Sequence, residues 1–132
     1  MMMIKSDSAE NHPDIEIYLK AVPAAAVEAW LKQRFSQVEL LKQKRQIHHF
    51  LATHDGHEIP ILVIEKAVKN FTSVLFESDQ TPWQQDILCA REAYSHFNKE
   101  IRCIASSWSE GEEPDEWIAI NEEGEEPIIW RI

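Results

Sequence analysis

Cysteine and glycine are scarce: the 132 residues hold two cysteines, Cys89 and Cys103, and three glycines, Gly56, Gly111 and Gly124. Two thiols make neither a disulfide framework nor a four-cysteine metal site, and they point to a reducing cytoplasm. With so little glycine there is no phosphate-cradling loop, no dinucleotide fingerprint and no nucleophile elbow. No apolar run approaches the ~20 residues that span a bilayer. The opening Met1-Met2-Met3-Ile4-Lys5 offers four apolar residues where a secretory signal needs roughly 7 to 15, so no cleaved leader is expected.

Basic residues are also few. Lys and Arg total 13 against 23 Asp and Glu, a formal net charge of −10, which opposes nonspecific attraction to nucleic acid or anionic lipid. The two parts of the chain differ sharply. Residues 1–70 carry equal numbers of each sign, so the whole imbalance lies after Asn70. Otherwise composition is ordinary, with 44% hydrophobic and 27% charged residues, and a chain well below roughly 250 residues is read as one domain.

Residues 1–13 read as a loose arm and 14–132 as a single α+β domain. Ile15, Ile17 and Leu19 alternate with Glu16, Tyr18 and Lys20, the period of a strand with one buried face. Pro23 then introduces a helix over Ala24 to Phe35. Val38 to Leu41 and Gln46 to Thr53 read as strands joined by the basic Lys42-Gln43-Lys44-Arg45, with one long bent strand as the alternative, and Asp55-Gly56 is a two-residue hairpin turn returning through Glu58 to Glu65. After a polar link at Lys66 to Asn70, Thr72 to Glu77 reads as a strand. Thr81-Pro82-Trp83-Gln84 reads as a capping box, opening a helix with an apolar stripe at Trp83, Ile87, Ala90, Tyr94 and Phe97. Strands at Ile101 to Ser106, Trp117 to Ile120 and Ile128 to Ile132 follow, the last two paired around Gly124.

These assignments give strand, helix and three strands, then the same order again. Ala26, Glu28, Ala29 and Trp30 align with Ala90, Glu92, Ala93 and Tyr94, and the Gly56 and Gly124 hairpins correspond. The expected fold is therefore α+β with duplicated strand-helix-strand-strand-strand units, pseudo-repeats 14–66 and 71–132, whose largely antiparallel sheet is packed by two helices. The connection after the second strand is basic in the first repeat, Lys42 to Arg45, and acidic in the second, Ser106 to Asp115. In a homo-oligomer, the basic loop of one chain would meet the acidic loop of another.

Metal and nucleophile readings are weak. His48 and His49 point to opposite faces of one strand, and only His54 and His57 meet across the Asp55-Gly56 turn, two ligands where zinc needs three or four. Glu110-Gly111-Glu112-Glu113-Pro114-Asp115 lacks the ligand spacing of an EF-hand. Cys89 and His96 lie two helical turns apart, so no thiol-imidazole catalyst emerges. No cofactor, metal or catalytic residue is assigned.

The leading reading is a noncatalytic binding or regulatory protein. Its acidic second-half surface, Trp108, Glu110, Glu112, Glu113, Asp115, Glu116 and Trp117, would engage a basic protein partner. The carboxylates would steer association and the two tryptophans would anchor it, although core packing is the ordinary role of Trp117. An alternative is a small-molecule effector-binding domain with a pocket between the pseudo-repeats, and a second alternative is an enzyme of unidentified type.

Overall fold

The computed structural model describes residues 12–105 and 116–131. Ten elements follow in chain order: β1 (Ile15–Lys20), α1 (Ala24–Arg34), β2 (Gln37–Lys44), β3 (Ile47–His54), β4 (His57–Val68), β5 (Phe71–Phe76), α2 (Asp86–Phe97), β6 (Ile101–Ile104), β7 (Glu116–Asn121) and β8 (Gly124–Ile129). The strands form one eight-stranded sheet in the order β2-β3-β4-β5-β1-β6-β7-β8, every described neighbour pair antiparallel. The protein is thus α+β, a sheet packed by two helices.

The helices cover one face. Ile15, Ile17 and Leu19 of β1 are buried there with Phe50, Ile61, Val63 and Phe76, against Val27, Trp30 and Leu31 of α1 and Cys89, Ala90 and Ala93 of α2. Tyr18 belongs to the opposite face yet is also buried, beside Phe71 and Trp117. The single buried face expected for β1 is therefore corrected: the central strand is covered on both sides. On the second face Trp130 lies within 5.2 Å of Tyr18 and 5.1 Å of Phe71, ring centre to ring centre. The Arg102 guanidinium sits 4.6 Å from each of the Phe71 and Trp130 rings while its Nε bonds Glu100, a cation–π arrangement in which the pairing carboxylate also orients the ion.

Several boundaries differ from the sequence reading for identifiable reasons. Lys42 and Lys44 are strand residues, and the β2–β3 turn shrinks to Arg45-Gln46, with Arg45 at φ 58. A bulge between Leu40 and Lys42 absorbs the extra residue. β4 runs to Val68 through a register shift after Ile64, placing the turn at Lys69-Asn70. β8 runs from Gly124 to Ile129 rather than from Ile128 to the final residue. Thr81 does not cap α2: its hydroxyl accepts the Trp83 N–H and bonds the Trp83 carbonyl, closing a local turn that delays the helix to Asp86. The buried stripe of α2 is accordingly Asp86, Cys89, Ala90 and Ala93, the i, i+3, i+4, i+7 set starting one turn later.

The element order repeats after β4, but strand neighbours do not follow the repeat. An exchange of β1 with β5 would require β2 beside β5 to match β6 beside β1, whereas β4 holds that place. The chain reaches the far edge first and returns through two hairpins, an arrangement that repeating element order alone does not distinguish.

Candidate functional site

The two edges of the sheet have opposite chemical character. β8, the edge on the acidic side, follows a tight turn at Glu122-Glu123, with Gly124 at φ 115 where a side chain would be strained. Glu116, Glu122, Glu123, Glu125 and Glu126 are all exposed. Glu125 faces the helices and is gripped by Arg91 of α2 through bonds of 2.7 and 3.0 Å, which hold its carboxyl below the ordinary range. Ile129 on the same strand is 56% exposed. Pro127 sits mid-strand, the position an edge tolerates because proline has no N–H to give.

β2 is the opposite edge. Leu40 and Leu41 are 42% and 55% exposed, the bulge turning Leu41 outward, and Lys42, Lys44 and Arg45 follow them in the chain. An edge lined by lysine and broken by a bulge is a common protection against uncontrolled strand pairing, and so is proline on the other edge.

Near the β2–β3 turn an open groove of about 550 Å³ is lined by Pro23, Arg45, Gln46, Glu65, Lys66 and Thr72. Glu65 holds its wall together: Oε2 accepts the Ala24 N–H at 2.7 Å, capping α1 in place of a side chain on Pro23, and Oε1 lies 3.4 Å from His48 Nε2. Arg45 and Lys66 both have positive φ, 58 and 53, in a region that side chains other than glycine enter at a cost. A second groove, about 350 Å³, lies beside the acidic turn and mixes Glu100 and Glu122 with Lys20 and Lys99.

Of the residues selected from sequence, Trp108, Glu110, Glu112, Glu113 and Asp115 lie outside the described residues, as does the acidic connection Ser106 to Asp115. Glu116 is exposed. Trp117 is 7% exposed, its ring 5.5 Å from Tyr18 and 5.1 Å from Trp130. It therefore packs as a core residue, and the apolar side chain offered at this edge is Ile129. The Glu122 to Glu126 turn was not singled out by sequence, although four glutamates around a lone glycine were the available signal. His54 and His57 do pair across the β3–β4 turn, and no group of three metal-ligating side chains occurs among the described residues. Both cysteines are buried, and burial drives the Cys103 thiol up to about 12 and that of Cys89 well above its usual value. Such thiols are poor nucleophiles.

Comparison of the chain with family models, with curated proteins and with solved structures finds no match.

Proposed function

We propose that this protein is a noncatalytic binding protein that presents the acidic β7–β8 edge of its sheet to a basic protein segment. The observation that carries the reading is a coincidence on one hairpin. Among the described residues, Glu116, Glu122, Glu123 and Glu126 have no cation partner, and they border β8, which has no strand on its outer side. An extended segment added there would gain backbone bonds, as in strand addition generally, while Lys or Arg side chains along it would meet the carboxylates. Pro127 leaves one backbone bond unmade, so charge carries much of the selection. Ile129 supplies an apolar contact at the end of the same strand.

The test is fluorescence anisotropy with a labelled Lys/Arg-rich peptide. Binding that weakens with added salt and falls at least tenfold in Glu122→Lys/Glu123→Lys/Glu126→Lys supports the reading. Equal binding by wild type and variant, or none by wild type, defeats it. These exposed substitutions leave the core intact, and circular dichroism checks that the fold is kept.

A second reading, a small-molecule effector site, is favoured by the 550 Å³ groove, which apart from Thr72 is lined by residues of 14–66 and so differs from a pocket between the two pseudo-repeats. Arg45 and Lys66 there have no carboxylate partner among the described residues, so the ligand class that fits is a small carboxylate or phosphate. Thermal shifts with a panel of such anions, abolished by Lys66→Gln, would favour it; an unshifted midpoint across the panel would exclude it.

A further inference from the structure

We infer that the basic partner of the acidic edge is the β2 edge of a second copy of this chain, the two joining into one continuous antiparallel sheet. The inference rests on the binding role proposed above for β8 and names its occupant.

Strand direction comes first. Eight strands in unbroken antiparallel order make β2 and β8 run in opposite directions. A second copy placed beside the first, helices on the same side, therefore brings its β2 antiparallel to β8. An odd number of strands would have forced a parallel pairing.

Register comes next. Lys44 pairs with Ile47, Ile47 with Ile64, Ile64 with Ser73, Ser73 with Tyr18, Tyr18 with Arg102, Arg102 with Ala119 and Ala119 with Glu126. Lys44 and Glu126 are thus the two ends of one row across the helix-free face. Copies joined without slippage set Lys44 of one directly beside Glu126 of the next, with Arg45 at the level of the Glu122 to Glu125 turn. Counting down both strands from that row, past the bulge at Leu41, sets Leu40 level with Ile129. Opposite charges meet at one end of the junction and exposed apolar side chains at the other.

Alternative pairings lack this match. Two β2 edges joined antiparallel about Gln43 set Lys42 against Lys44, and two β8 edges joined between Glu125 and Glu126 oppose those glutamates, both unfavourable for directly facing like charges. Lys42, Lys44, Arg45, Glu123 and Glu126 have no opposite-charge partner within their own chain among the described residues. The net charge of −10 repels whole molecules, but a Debye length of ~8 Å at physiological salt screens that repulsion more than it weakens pairs in contact. Because the joined surfaces differ, the contact is heterologous, and successive copies close into a ring or continue as an open chain.

Sedimentation velocity of the full chain over a concentration series at physiological salt tests this. The weight-average mass of wild type should rise with concentration. Lys44→Glu/Arg45→Glu and Glu123→Lys/Glu126→Lys should each remain monomeric while folded, and an equimolar mixture of the two should associate again, since each variant then supplies the edge that complements the other. A wild-type chain that stays monomeric, variants that associate as well as wild type, or a mixture that fails to recover overturns the inference. If wild type is monomeric yet still binds the Lys/Arg-rich peptide, the second copy is excluded as partner and the acidic-edge reading stands. If it does neither, both fall.

Discussion

Replacing Asp86 should expose how the start of the domain is fastened. Asp86 opens α2 and is 5% exposed. Its Oδ2 accepts the Glu16 N–H of β1 at 3.0 Å and its Oδ1 receives a bond from His12 Nδ1 at 2.8 Å. β6 pairs with β1 at Tyr18 and Leu19, and the Lys20 N–H bonds the Glu100 carbonyl beyond them, so the carboxylate takes the Glu16 N–H at the other end, past the last β1–β6 pair. A hydrogen bond to a charged group contributes ~1.5–3 kcal/mol, and a carboxylate in the first helical turn adds ~0.3–1 kcal/mol. Asp86→Ala removes all of these and strands a backbone N–H, so a loss of about 3 kcal/mol is expected. Asp86→Asn keeps one acceptor oxygen and should lose about half as much. Urea unfolding followed by tryptophan fluorescence measures both, and in a His12→Ala background the Asp86→Ala loss should shrink by ~0.5 kcal/mol or more. Equal stability of wild type and Asp86→Ala, or full additivity with His12→Ala, refutes this account of the fastening.

Tyr18 is pushed up to about 12, first by burial and then by the Glu16 carboxylate beside it. The folded state therefore keeps a phenolic proton that the unfolded chain releases near pH 10, and stability should fall as pH rises from about 10 to about 12. A Tyr18→Phe variant should lose part of that dependence, the buried Cys89 and Cys103 thiols supplying the rest; an alkaline unfolding curve identical to wild type would contradict it. Cys89 and Cys103 should react with a disulfide reagent such as dithiobis-nitrobenzoate only as fast as the domain opens, and rapidly in denaturant. Native reaction at the rate of a free thiol would show that the α2–β6 core is not closed.

Sequence pattern located both helices and seven of the eight described strands, and set the last at Ile128 to Ile132 where the structure has Gly124–Ile129; the alternation in β1 and the turns at Asp55-Gly56 and beside Gly124 are strong local signals. What failed was decided by contacts far along the chain. Thr81 reads as a cap, yet its hydroxyl is used two residues away at Trp83. Pro23 does precede the helix as read, but the bond that caps Ala24 comes from Glu65, 41 residues beyond Ala24. Tyr18 alternates out of the first core but is covered by Trp117 and Trp130, which no local period reveals. The charge asymmetry was visible as a count, whereas the placement of Lys44 and Glu126 at two ends of one row requires strand order and register, neither of which periodicity encodes.

The acidic edge as a binding surface is tested most directly by nuclear magnetic resonance titration of the labelled chain with a Lys/Arg-rich peptide. The account expects backbone shifts concentrated at Glu116 and at Glu122 to Ile129, suppressed by salt, with the helix face of the sheet unmoved. Shifts spread evenly over the surface, or confined to residues away from β7 and β8, would contradict it.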